Sequence, residues 1–482
     1  MQDLLKASAT ELARRIRGGE VTSRAVVEAH VAHARRHNPA LNAIVADRFD
    51  EALEEATAAD AFLAEVGPAG VPAFHGVPCT IKECFEVEDM PNSSGLVSRR
   101  DIRSSRDAPS VARIRKAGGI VLGVTNVSEL CMWMETDNCL YGITNNPYDF
   151  TRTVGGSSGG EGSIVGSGAS PFGLGADIGG SIRMPAFFNG VFGHKPSAGL
   201  VPNSGQFPIA EPGARRLLTT GPLCRKAEDL WPLLQLLAGP DGEDVGCVHT
   251  LQGNPADVNI AELTVWTIVD NGLIAVDIEL MQAQERAAEA LAGLGATVKR
   301  VEIERLRDSF ELWTAAMGNG AQTPFATLMG GADGPVNPWA ELLKWTVKRS
   351  EHTFPAILLG IGHALQHLAP GGLDDRIAEC QLLRDEMTKM LGPKGVFLYP
   401  PYARPAPKHH QPKFRPLDWI YTAVGNVLEM PITQVPLGLG ELGVPLGVQV
   451  GAIHGNDAVT IAVAQALEKE LGGWIPPHNL GF

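Results

Sequence analysis

The stretch TVGGSSGGEGSIVGSGASPFGLGADIGGSIRMPAFFNGVFGHKPS, residues 153–197, is so rich in Gly and Ser that neither helix nor strand propensity accounts for it. Glycine lacks a Cβ, so backbone N–H groups in such a loop can come close to a ligand atom, and the first chemistry to weigh is anion binding. A phosphate cradle would need GxxxxGK[ST], or a strand-flanked GxGxxG with its acidic partner, and neither occurs, which argues against nucleotide binding. Ser158 to Glu161 spells Ser-x-x-Glu ahead of Ile164 and Val165, which predicts a capping box and a helix beginning there. Further on, ADIGGS sets Ile178, Gly179, Gly180 and Ser181 in a row. Their N–H groups can face one oxygen while Ser181 presents its hydroxyl, as an oxyanion hole beside a nucleophile requires.

Outward from this stretch, short apolar runs alternate with helical patterns. Residues 120–124, 265–269, 396–399 and 446–450 read as strands, and 278–291 and 458–467 as helices. That alternation predicts an α/β fold, a large mixed β-sheet flanked by helices on both faces. Residues 1–67 read as N-terminal helices over about 10–17, 23–37 and 47–65, with a break at Gly18 and Gly19. His30 and His33 fall on the second of these and read as packed or solvated side chains. Residues 305–407 differ in texture, carrying Trp313, Met317, Trp339, Trp345, Phe354, Leu358 and Leu359 among breaks at Gly331, Pro335 and Pro338. Such a stretch serves either as ordinary core or as the lining of a substrate channel. No internal repeat is visible.

With 482 residues, 44% of them hydrophobic and 20% charged, the chain can bury a sizeable core, and length alone leaves one unit or two open. Its formal net charge of −14 opposes phosphate backbones and anionic surfaces, so no nucleic-acid partner is expected. No apolar run is long enough to span a bilayer and the first twenty residues lack a signal-peptide core, so no transmembrane segment and a cytoplasmic location are expected. Seven scattered cysteines without a CxxC pair read as reduced, mostly buried thiols, and His409 with His410 reads as a surface loop; no metal site is expected.

GGSSGG (155–160) followed by DIGGSIR (177–183), with HGVPCTIKE (75–83) upstream, resembles the amidase signature family. SELCMWMETDN (128–138), NNPYDF (145–150) and GGSIRMPAFFNGVFGHKPS (179–197) are most similar to its fatty-acid amide hydrolase 2 group and bacterial amidases and urethanases. The likeness is close over about residues 74–207, extends to the N-terminal helices and to VPLGVQVGA (444–452), and is loose over 305–407. It implies one domain over 1–482, with a signature core over 71–207 and a variable, pocket-forming segment over 305–407. It also implies Ser181 as nucleophile, Ser157 as proton shuttle after a cis peptide bond, and Lys82 as base. Ile178, Gly179, Gly180 and Ser181 would supply oxyanion N–H groups. Ser158, Asp177 and Arg183 would support the triad, Arg183 as ion-pair partner of Asp177.

The chemistry agrees with those residue types. A serine hydroxyl needs a base, and no histidine stands in the motif to provide one. A lysine serves only when neutral, which a solvated lysine near neutral pH is not, so the reading requires burial; Val77, Pro78 and Ile81 offer apolar surroundings. Two departures stand out. Glu83 follows the lysine where many members have aspartate, and Ala176 precedes Asp177 where a hydroxyl residue is frequent. No metal or organic cofactor is implied. The expected substrate is a hydrophobic or aromatic amide, with Met132, Trp133 and Met134 as candidate pocket residues. A carbamate or ester hydrolase with the same triad is the alternative, and a glutamine-dependent tRNA amidotransferase subunit a further one. A homodimer is compatible with either hydrolase reading.

Overall fold

The computed structural model describes residues 2–211, 214–318, 323–365 and 373–481. Among the described residues there are eleven strands: β1 (Ile44–Asp47), β2 (Pro78–Lys82), β3 (Ile120–Thr125), β4 (Phe172–Asp177), β5 (Phe192–Lys195), β6 (Thr219–Cys224), β7 (Thr264–Thr267), β8 (Thr297–Arg300), β9 (Gly395–Tyr399), β10 (Ile432–Leu439) and β11 (Pro445–Ala452). They form one sheet in the order β1-β3-β2-β4-β6-β5-β10-β11-β9-β7-β8. Pairing is parallel between β2 and both β3 and β4, and between β7 and both β8 and β9; the other pairs are antiparallel. The mixed sheet expected from the sequence is therefore observed.

Period-two patterning explains why helices cover both faces. On β3, Ile120 and Leu122 join a core with Val27 and Val31 of the helix Ser23–Leu41 and with Ile164 of the helix Gly159–Gly166. Val121 points the other way, into a core with Leu12 and Ile16 of the helix Ala9–Arg17 and with Val111 of the helix Pro109–Lys116. The N-terminal helices are Ala9–Arg17, Ser23–Leu41 and Phe49–Val66, but a strand, β1, lies between the last two. At four residues it is too short to show a period of its own.

Two features of the sheet position the site. β2 and β4 are parallel neighbours, with Thr80 opposite Gly173 and Ile81 opposite Leu174. Their carboxyl ends therefore emerge on one edge, where open α/β sheets bind ligands. Lys82 ends β2 and Asp177 ends β4, so topology alone brings two distant motifs together.

Within 305–407, helices Phe325–Gly330, Pro338–Thr346 and Phe354–Leu365 pack together as a cap on the chain segments that follow β2 and β3. Phe325, Met329, Ile357 and Ile361 pack there with Leu96 and Leu130. The segment's large apolar residues do not act as one group. Trp339, Trp345 and Leu358 stand exposed on the surface, whereas Trp313 packs against the main core. All seven cysteines are free, five of them buried. Among the described residues no helix is long and apolar enough to cross a membrane.

Candidate active site

Lys82 is 1% exposed, as is Ser157, because all five residues of β2 are buried and the glycine-rich loop closes over its end. Lys82 Nζ lies 2.7 Å from Ser157 Oγ and 3.4 Å from the Ala176 carbonyl. The Gly156–Ser157 peptide is cis. Gly156 is needed by close approach, since a Cβ there would meet the Trp133 carbonyl at 2.3 Å. Thr136 clamps the same loop, donating its hydroxyl to the Gly155 carbonyl (2.9 Å) and accepting the Gly159 N–H (3.0 Å).

Ser181 is more open, at 9% exposed. Ser158 joins the two serine loops: its N–H donates to the Ser181 carbonyl (3.2 Å) and its Oγ to the Ala176 carbonyl (3.3 Å). The same contacts dispose of the predicted capping box. The helix Gly159–Gly166 begins where expected, but the Ser158 side chain makes no cap bond. Glu161 instead accepts the hydroxyls of Thr80 (2.7 Å) and Thr125 (2.9 Å), which project from the strands beneath. A buried carboxylate takes the strongest donors within reach, and here those belong to the sheet.

Asp177 and Arg183 form a fully buried ion pair at 3.0 Å. Burial alone would raise the Asp177 pKa, but the Arg183 charge and the bonds from Arg183 and Asn426 hold it well below the usual carboxylate range. Arg183 also donates to Gln449 Oε1 (2.7 Å) and Asn426 Oδ1 (2.6 Å). Asp177 further accepts the N–H groups of Gly180 (2.7 Å) and Ile182 (3.1 Å). The Gly180 N–H, one of the four expected oxyanion donors, is thus turned onto the carboxylate. Asp177 takes none of the other three, leaving Ile178, Gly179 and Ser181 as candidates.

The loop that carries those donors is held from behind. Trp313 Nε1 donates to the Ile178 carbonyl (2.8 Å) and Thr422 Oγ1 to the Gly179 carbonyl (2.8 Å). In a trans peptide the N–H points opposite to its carbonyl, so Trp313 aims the Gly179 N–H away from itself. Gly180 has φ +122, and a Cβ there would stand 2.0 Å from Thr422 Oγ1, so no other residue fits. Sequence reading missed the roles of Thr422 and Asn426, which lie more than 220 residues beyond the glycine-rich stretch in no quoted motif, and of Gln449, which falls within VPLGVQVGA but carries no sign of its partner. It named Trp313, but only as ordinary core or channel lining.

The remaining candidates sit around this centre. Glu83 is buried and accepts from the N–H groups of Ser93 (2.7 Å) and Ser94 (2.8 Å) and from the Tyr141 hydroxyl (3.0 Å); it anchors a neighbouring loop and does not reach Ser157. Met132 packs with the cap cluster, Trp133 against the main core, and Met134 is buried with the Tyr402 hydroxyl 3.4 Å from its sulfur. His409 lies in a loop, with Nε2 2.9 Å from Asn145 Oδ1.

Burial pushes the Glu161 pKa up to about 8, against the Thr80 and Thr125 hydroxyls that lower it. A raised carboxyl keeps its proton in the folded state while the unfolded chain has lost it. Its contribution is thus full below the ordinary value of 4.5 and is lost as pH rises to about 8. Glu161→Gln cannot titrate, so over that window wild type should lose up to about 1.4 kcal/mol per pH unit relative to the variant. Urea melts of both proteins at pH 5 and pH 8 measure this, and parallel losses would exclude Glu161 as the source.

Comparison with known proteins extends the likeness to the whole chain. A family model described as Amidase matches residues 25–461. Fatty-acid amide hydrolase 2-A of Danio rerio is 45% identical, covering 98% of this chain and 90% of that one. Fatty-acid amide hydrolase 2 of Homo sapiens is 44% identical, covering 99% and 91%. Among solved structures, 6-aminohexanoate cyclic dimer hydrolase superposes with a TM-score of 0.80 at 26% identity, covering 99% of this chain and 100% of that one.

Proposed function

The chain belongs to the amidase family, a hydrolase acting on C–N bonds, and from that membership we propose that it cleaves hydrophobic or aromatic amides through Ser181, Ser157 and Lys82. The observation that carries this reading is the 2.7 Å contact between Lys82 Nζ and Ser157 Oγ in a site nearly closed to water. Neutral Lys82 takes the Ser157 proton while Ser157 takes that of Ser181, and the Ser181 oxygen attacks the acyl carbon. The N–H groups of Ile178, Gly179 and Ser181 hold the resulting oxyanion, aimed by Trp313 and by the Asp177–Arg183 pair. Return of the proton through Ser157 to the leaving nitrogen breaks the C–N bond, and water hydrolyses the acyl-enzyme by the same route. The route requires no cofactor.

The signature motifs concern the reacting bond, and the pocket walls decide which acyl and amine groups are admitted. Similarity to fatty-acid amide hydrolases supports an apolar acyl group, as does the apolar cluster where Met132 meets the cap. Carbamates and esters present the same carbonyl geometry. A panel of amides, carbamates and esters, assayed on the purified chain without partner or glutamine, is expected to show hydrolysis of apolar amides. Within the panel, apolar acyl groups should exceed polar ones in kcat/KM by at least about tenfold, the worth of one or two buried methylenes. Turnover of glutamine alone would overturn the reading in favour of an amidotransferase subunit.

A further inference from the structure

Glu129 is a buried carboxylate, and its two oxygens are both taken by the turn that opens the helix Phe354–Leu365. His352 Nδ1–H donates to Oε1 at 2.7 Å and the Thr353 N–H donates to Oε2 at 2.7 Å. Two short, charge-assisted bonds to one carboxylate fix both its position and its orientation. They join the cap to a loop more than 220 residues away in sequence.

That loop is shaped for contact on two sides. Leu130 and Cys131 both adopt left-handed backbone, with φ +55 and +58, which is uncommon for residues other than glycine. Their N–H groups are held by the carbonyls of Ser94 and Ser128, each at 2.8 Å. Immediately after them Met132 enters the cap cluster, while the Trp133 carbonyl presses on Gly156, next to Ser157. One short loop thus touches the cap on one side and the glycine-rich loop on the other, and Glu129 is its anchor.

We infer that Glu129 and His352 form a specificity-determining positioning pair, which sets the cap over the acyl pocket so that long apolar acyl chains bind in register with Ser181. The inference rests on the proposed amide hydrolysis. Neither residue touches the reacting groups, so a short acyl group, which does not reach the cap, has no need of the pair.

The test compares wild type with His352→Ala, His352→Asn and His352→Gln on the anilides of a long-chain fatty acid and of acetic acid. Asparagine puts an N–H donor where Nδ1 stands, whereas glutamine puts it where Nε2 stands. KM for the long-chain anilide should rise about tenfold in His352→Ala and His352→Gln, the worth of one hydrogen bond to a charged group. His352→Asn should stay near wild type, and kcat/KM for the acetyl anilide should change less than about twofold in all three. Equal losses on both substrates, or asparagine and glutamine variants that behave alike, would overturn the pairing role. The second comparison decides even if His352→Ala does not fold. If wild type hydrolysed neither anilide, the amide-hydrolase reading would fall and the inference with it. Hydrolysis of both with unchanged KM values would sink the inference alone.

Discussion

Ser181→Ala is expected to lower amide hydrolysis by at least about four orders of magnitude while leaving the fold intact, because it removes the attacking oxygen and keeps the N–H that faces the oxyanion. The structure explains why folding should survive. The Ser181 backbone is fixed by the Ser158 N–H on its carbonyl and by the Asp177 bonds to its neighbours Gly180 and Ile182, none of which involves the hydroxyl. The variant's melting temperature should therefore lie within the few degrees typical of a benign substitution. Steady-state rates on an apolar anilide, with a thermal melt of the same sample, measure both. Turnover within tenfold of wild type in a folded variant would remove Ser181 from the mechanism.

Removing the base should separate two substrate classes. Lys82→Ala is expected to cost about 10²- to 10⁴-fold on amides, the range of one general acid–base group. An amine must be protonated as it leaves, whereas the leaving group of an activated ester departs without that help, so the ester rate should fall less. The amide-to-ester rate ratio is the informative quantity, because a general distortion of the site would lower both rates together. Lys82 is fully buried at the end of β2, so alanine also leaves a void beside Ser157. Lys82→Met fills most of that space without an amine and should show the same fall in ratio. A ratio equal to that of wild type in both variants would mean that Lys82 is not the proton acceptor.

Much of this site is visible in the sequence because its chemistry is concentrated in short motifs. ADIGGS and GGSSGG are legible since only glycine permits backbone so close to other groups, as Gly156 and Gly180 show. The sheet is legible because its central strands are buried on both faces and read as apolar runs, as IVLGVT of β3 does. What escapes is the long-range satisfaction of buried polar groups. Ser-x-x-Glu at 158–161 has the pattern of a capping box, but Thr80 and Thr125 claim the glutamate from strands that the local pattern does not include. The Gly180 N–H reads as free in a linear sequence, yet the carboxylate of Asp177 lies three residues back and folds onto it. Trp313 and Trp339 look alike in sequence, and only the packing of the cap puts one behind the Ile178 carbonyl and the other in solvent. β1 is missed because four residues hold too few alternations to reveal a strand.

The measurement that bears most directly on the central claim is the site of covalent capture by an alkyl fluorophosphonate, mapped by peptide mass spectrometry on wild type and Ser181→Ala. The account predicts one phosphonyl group per chain on Ser181 in wild type and none in the variant. An adduct on Ser157 or on another residue, or equal labelling of the two proteins, would contradict it.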